Sequence, residues 1–315
     1  MGMKTIFIIN PAAGKGKQRD KLYRAIERVG NQAIIYHTKS PGDGERFVKE
    51  YCQKNGGARF IACGGDGTLS EVVNGVIGCT TAEVGVIPLG TGNDFCRNFE
   101  DCDFHNIALQ MTGSSQFCDA IWYRTEINGK VQQGYCINMF NIGFDCSVAD
   151  YTAEVKRKTI FSGSVAYFIA ILVMLLRKKG YHMVVEADGI CQYNGELLLT
   201  SLANGCFCGG GVKSNPMALL QDGNINFNII KNISCLRFIS LLPSYMKGTF
   251  LRKKNIHHVI LSGSCKRVTV TPTEGKLRLC VDGEIVSGGK TEFEAVHRAF
   301  RFVVPKEMEH LRKSK

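Results

Sequence analysis

Two short glycine-rich segments constrain this chain more than any other feature. Gly64-Gly65-Asp66-Gly67-Thr68 follows an apolar run at 58–63, and Pro88-Leu89-Gly90-Thr91-Gly92-Asn93-Asp94 follows another at 83–87. A helix-like segment over 69–77 lies between them. The pattern is strand, turn, helix, strand, with both turns at one edge of a parallel sheet, where ligands bind beyond the carboxyl ends of the strands. Glycine lets backbone approach a phosphate closely, and the N–H groups at a helix start favour anions. Threonine hydroxyls add donors, and Asp66 and Asp94 can engage Mg²⁺ or its waters. The residues point to a bound nucleoside triphosphate. One such turn alone reads equally well as a tight turn; two on adjacent strand ends do not. A strict P-loop, with Gly-Lys-Ser/Thr four residues after its first glycine, is absent.

The chain has 315 residues, enough for two domains. Its net charge of +11 suits an anionic membrane or nucleic acid, but no recognisable nucleic-acid-reading element is present. The cations cluster at Lys156-Arg157-Lys158, Arg177-Lys178-Lys179, Arg252-Lys253-Lys254 and Arg312-Lys313. The 14 cysteines contain no Cys-x-x-Cys pair and lie mostly in apolar runs, as small buried thiols of a reducing cytosol do. The amino terminus enters a strand without a signal-peptide layout. An apolar stretch over 159–176 is of about minimum length for a membrane span, and we expect a buried or interfacial helix there instead.

The first third alternates strand and helix: strands at 4–10 and 33–37, helices at 19–29 and about 45–54, then the two glycine units. This is the signature of a parallel sheet covered on both faces. After about residue 118 the texture changes. Runs at 118–126 and 135–141 flank Asn128-Gly129, a hairpin signal. Strand-like runs follow at 181–187, 196–203, 225–230, 258–261, 268–271, 276–281 and 299–304, with helices at 160–178 and 235–247. The second domain is mainly antiparallel β, a sandwich or an open barrel. A ligand cleft is expected at the domain junction.

Asn10-Pro11 with Gly14, then the Gly-Gly-Asp-Gly-Thr turn, then Pro88 to Phe95, resemble the diacylglycerol kinase catalytic domain of bacterial lipid kinases. The resemblance runs the full length. It includes Asn204-Gly205, Gly209-Gly210-Gly211, Pro216-Met217-Ala218, Asp222-Gly223 and Val281-Asp282-Gly283-Glu284. It implies an α/β plus β fold: a Rossmann-like domain related to phosphofructokinases and NAD kinases over 1–120, and a β-sandwich lipid domain over 121–304, with the active site in the cleft between them. The tail at about 305–315 would pack back on the first domain.

The resemblance further implies an ATP- and Mg²⁺-dependent lipid kinase. Gly65, Asp66, Gly67 and Thr68 would hold the phosphates and magnesium. Thr91 and Asn93 would line the nucleotide pocket, with Asp94 near the metal. Asn10, Gly14, Lys15 and Thr38 would sit close to the nucleotide, Lys15 as a phosphate clamp. Asp282 would be the general base for the lipid's primary hydroxyl, and Glu284 would orient it or help hold the metal. Read from its neighbours alone, Asp282-Gly283 is equally an ordinary two-residue hairpin turn. Asp222, with the backbone around Asn224, would hold a second, structural Mg²⁺; another Asp-Gly turn reads the same. His257-His258 lacks zinc spacing, and Trp122 reads as core.

Diacylglycerol is the expected acceptor; phosphatidylglycerol, sphingoid bases, ceramide and undecaprenol are the alternatives. NAD kinase and a non-catalytic nucleotide-binding regulator are the rival readings. The partners implied are a lipid at an anionic membrane surface, approached peripherally from the cytoplasm, no nucleic acid, and a second copy in a homodimer, as in relatives.

Overall fold

The computed structural model describes residues 3–14, 17–29, 33–143 and 180–306. Lys15, the basic runs at 156–158, 177–179 and 312–313, and the expected helix over 160–178 lie outside the described residues. The chain divides into two units: residues 1–118 with 298–315, and residues 119–297.

The first unit alternates β1 (Thr5–Ile9), α1 (Lys17–Glu27), β2 (Ala33–His37), α2 (Asp43–Asn55), β3 (Arg59–Gly64), α3 (Asp66–Val76) and β4 (Glu83–Pro88). Pairing is parallel, in the order β2-β1-β3-β4. β1, β3 and β4 are buried almost throughout, as strands covered on both faces must be. The chain leaves β1 for β2 on one side and returns to β3 on the other. The order therefore reverses between β1 and β3, and at their carboxyl ends the diverging connections leave a crevice.

α4 (Ile107–Thr112) follows a short 3₁₀ turn at Phe95–Asn98. The strand β15 (Thr291–Val303) returns to this unit, where Phe302 pairs in parallel with Val84. Phe302 packs with Phe95, Phe99 and Phe104, so the end of the chain completes the core under the second glycine turn.

Arg59 ties this unit together. Its guanidinium contacts Glu83 at 2.5 Å and donates to the carbonyls of Gln110, Met111 and Gly113 at 3.1, 2.6 and 2.9 Å. It thus caps the carboxyl end of α4 with a cation, where the helix dipole favours one.

The second unit is antiparallel. Its centre is β9 (Ile190–Ala203), which pairs with β8 (Tyr181–Ala187), β7 (Met139–Gly143) and β10 (Ile225–Lys231). β10 continues to β11 (Ile260–Cys265), β8 to β12 (Arg267–Pro272), and β7 to the hairpin of β13 (Leu277–Val281) and β14 (Glu284–Gly288). β5 (Ser115–Ile127) and β6 (Lys130–Cys136) form the expected hairpin at Asn128-Gly129, both at positive φ. α5 (Cys235–Met246) buries Phe238, Leu241, Leu242 and Tyr245 in a cluster with Leu198, Leu199 and Ile260.

Two expectations are corrected. The strand predicted over 135–141 is broken between Cys136 and Met139, because the backbone N–H groups there turn to Asp282. Trp122 is half-buried rather than core. No disulfide joins the thirteen cysteines among the described residues. Burial pushes up the thiol pKa of Cys63 and Cys136, and that of Cys265 to about 12, so they stay protonated. Among the described residues no helix is long and apolar enough to cross a membrane.

Arg59→Met leaves three carbonyls without their donor and Glu83 with only the longer ion-pair contact to Arg301, at 3.7 Å. Urea unfolding should show the first unit destabilised by about 3 kcal/mol; a loss under about 1 kcal/mol would mean that other donors replace it.

Candidate active site

In the first unit the site is built at the β1/β3 reversal. Asn10, just past β1, donates from Nδ2 to Thr68 Oγ1 at 3.2 Å, and its Oδ1 accepts from Ala12 N at 2.9 Å. Thr38, past β2, donates its backbone N–H to Ile9 O at 2.9 Å. Gly14 sits at φ +74°. The turns that end β1, β2 and β3 are thus joined by short polar bonds.

The second glycine turn is locked to the first by Asp66, the opening residue of α3. Asp66 Oδ2 accepts from Asn93 N at 2.7 Å, and Oδ1 from Asp94 N at 2.8 Å and Phe95 N at 3.4 Å. Asn93, at φ +52°, closes its own turn by accepting from Gly90 N at 3.2 Å and donating to Gly90 O at 2.9 Å. Burial raises the Asp66 pKa, and the three N–H donors oppose that rise.

The glycines here serve close approach. A Cβ on Gly90 would stand 2.7 Å from Gly65 Cα, and one on Gly92 would stand 2.8 Å from Asp66 Oδ2. Two bare backbone turns lie against each other at a helix N-terminus, where the first N–H groups have no intrahelical acceptor. That is a surface a phosphate group fits. Thr91 is exposed beside it, and Arg97 lies 3.5 Å from Asp94 Oδ1 while donating to Gly92 O.

In the second unit Asp282-Gly283 is the β13–β14 turn, at φ +47° and +100°. Its carboxylate reaches the broken strand. Oδ2 accepts from Ile137 N at 2.9 Å. Oδ1 accepts from Asn138 N at 3.0 Å, Met139 N at 3.1 Å and the Cys136 thiol at 3.1 Å. Successive N–H groups form an anion nest, filled by this side chain. Burial raises the Asp282 pKa and the donors pull it down. Glu284 is exposed at the start of β14.

Asp222 and Asn224 form an Asx turn: Asn224 N donates to the exposed Asp222 at 2.9 Å. Among the described residues no three acidic, His or Cys groups gather as a metal cage. A Mg²⁺ held here by one carboxylate and the carbonyls of a turn would keep most of its shell as water. At the first turn the demand is smaller. A Mg²⁺ arriving on phosphates keeps several waters and needs one or two carboxylates, which Asp94 and Asp66 offer.

Sequence reasoning missed the polar groups that hold the loop from Asn204 to Gly223. Asn204 Nδ2 donates to Asp119 O and Ile137 O at 2.7 and 2.8 Å. Ser201 bonds Asn215 at 2.6 Å, and Asn228 donates to Ser214 O at 2.8 Å. Asp119 accepts from Gly223 N at 2.6 Å and contacts His297 Nδ1 at 2.9 Å. A lone aspartate inside the apolar run at 117–121 was the available signal for this latch.

Residues 4–119 match the diacylglycerol kinase catalytic domain, and residues 138–304 match the YegS C-terminal NAD kinase beta sandwich-like domain. The chain belongs to the diacylglycerol kinase-like family of lipid kinases. Its enzyme class is ATP-dependent lipid kinase. A diacylglycerol kinase of Bacillus subtilis is 29% identical over 308 residues, covering 95% of this chain and 96% of that one. A probable lipid kinase, YegS-like, of Enterobacter sp. is 28% identical, covering 98% of each. A diacylglycerol kinase structure from Bacillus anthracis shares the fold with a TM-score of 0.68 at 20% identity, covering 96% of this chain and 97% of that one. The motif residues Gly64–Thr68 and Pro88–Asp94 lie within the first match, and Asp282 within the second.

Gly90→Ala drives a Cβ into Gly65 backbone. We expect MgATP affinity, read by calorimetric titration, to fall about tenfold or more; unchanged affinity would show that the two turns do not hold the nucleotide.

Proposed function

We propose that this lipid kinase transfers the γ-phosphate of ATP to the primary hydroxyl of diacylglycerol, forming phosphatidic acid. The observation that carries the reading is the pair of glycine-rich turns at the β1/β3 reversal, tied through Asp66 and completed by Asn10 and Thr68. The acceptor rests on the diacylglycerol kinase relatives and on the match to their catalytic domain.

The first-turn N–H groups of α3 and the Thr68 hydroxyl hold phosphate oxygens. Asn10 orients Thr68 by donating to its oxygen, which leaves the Thr68 proton to point at an acceptor. Asn93 and Thr91 shape the second turn beside the nucleotide. Mg²⁺, when bound, neutralises charge developing on the transferred group. Asp66 and Asp94 hold the ion or its waters, Asp66 chiefly by fixing the turn that carries Asp94.

Asp282 takes the proton from the lipid hydroxyl as that oxygen attacks phosphorus. Its mounting supports the role. Three backbone N–H groups fix the carboxylate, and burial makes it a better proton acceptor than an exposed aspartate. Glu284 stands two residues on and helps orient the acceptor side.

Phosphate transfer from labelled ATP should be measured in mixed micelles offering diacylglycerol, phosphatidylglycerol, a sphingoid base, ceramide and undecaprenol, with NAD run separately. We expect labelled phosphatidic acid, lost about a hundredfold or more in Asp282→Asn. Because the Asp282 pKa is raised, kcat/KM should rise with pH through an inflection above the ordinary aspartate value of 3.8, and Asp282→Asn should abolish that limb. Another labelled lipid would change the acceptor alone. Labelled NADP, or no product despite tight ATP binding, would overturn the reading.

A further inference from the structure

We infer that the outer face of α5 and the basic run that follows it dock the protein on an anionic lipid surface, an inference that rests on the lipid-kinase reading above. α5 is amphipathic in an unusual way. Its inner face is packed, yet its outer face carries Leu236 at 81% exposure and Ile239 at 44%. These two are three residues apart and so share a face. An ordinary surface helix places charged and polar groups there.

A single exposed leucine is unremarkable in a soluble protein; its electrostatic setting decides the matter. From Gly223 to Thr273 the sequence has no aspartate or glutamate, and it has eight lysines and arginines. Arg237 lies on α5 itself. The exposed run Arg252-Lys253-Lys254 follows, and Lys253 Nζ reaches Ser240 O at 3.4 Å, next to Ile239. Cations therefore border the apolar face, with no carboxylate in the segment to neutralise them. Met217 and Leu219, 64% and 61% exposed, flank Ala218, which is buried in the same apolar cluster as the inner face of α5.

Apolar side chains standing outward beside an exposed run of cations match one kind of partner. A leucine inserts among acyl chains while lysine and arginine meet anionic headgroups, the two-signal attachment of peripheral proteins. A phosphate backbone would engage the cations but would give Leu236 and Ile239 nothing to enter. An enzyme whose acceptor lies in a bilayer gains an encounter surface from this arrangement.

The test is co-sedimentation with sucrose-loaded vesicles of phosphatidylcholine, with or without an equal part of phosphatidylglycerol, across a salt series. The wild-type chain should bind the mixed vesicles, weaken with salt and ignore neutral ones. Leu236→Glu with Ile239→Glu should lower partitioning about tenfold or more. Arg252→Gln, Lys253→Gln and Lys254→Gln together should lower it about a hundredfold. Both variants should melt with the wild type and phosphorylate a short-chain, water-soluble diacylglycerol at its rate. Should the double variant melt early, Leu236→Gln alone gives the reading. Unchanged partitioning in the variants, equal binding to neutral vesicles, or binding of duplex DNA in place of vesicles would overturn the proposal. Sedimentation does not depend on turnover, so failure of the kinase reading would show separately, as absent product on the soluble acceptor.

Discussion

A carboxylate that accepts three successive backbone N–H groups is the device on which this structure depends, and among the described residues it is used twice. Asp66 gathers the amides of Asn93, Asp94 and Phe95, and Asp282 gathers those of Ile137, Asn138 and Met139. Each time the aspartate belongs to a tight turn at a strand end, and its target is a turn that no ladder could satisfy. Charge-assisted bonds are worth roughly twice neutral ones, and loops without regular pairing need such anchors. The same carboxylates are the groups that the proposed chemistry calls on. A loop anchor and a reacting acid are compatible roles, because a side chain fixed by three amides stays where a reaction needs it.

The α/β half was legible because its signals are local. Apolar runs, glycine turns and helix periodicity each act over a few residues, and alternation makes the sheet parallel; the order β2-β1-β3-β4 that reverses between β1 and β3 is set by pairing between distant strands. The Asp282-Gly283 hairpin was legible too as a turn between two short strands. The break in the strand predicted over 135–141 was not, since its cause sits 146 residues away from Cys136 in the chain. Nor was the first half of β9, where Asn194 and Gly195 pair in register with Val184 and Met183 and the register shifts only at Gln192. The helix expected over 160–178 lies outside the described residues.

The polar latch of the second unit shows why motif residues cluster where they do. Asn204, Asn215 and Asp222-Gly223 belong to one loop, and side chains from β9, β10 and β5 reach into it. Buried amides bonded in this way specify one loop conformation, because any other strands them without partners. The loop and α5 then share an apolar cluster. The residues that fix the loop and the outer face of α5 proposed to meet lipid are thereby kept separate.

The central claim is that Asp66 serves the nucleotide by fixing the second glycine turn. It is tested most directly by amide hydrogen exchange over residues 90–99, read together with MgATP affinity, in wild type and Asp66→Ala. The account predicts that exchange accelerates tenfold or more (about the loss of one charge-assisted bond) and that affinity falls with it. Affinity lost while the 90–99 amides stay protected would contradict it, and would make Asp66 a direct ligand of metal or phosphate alone.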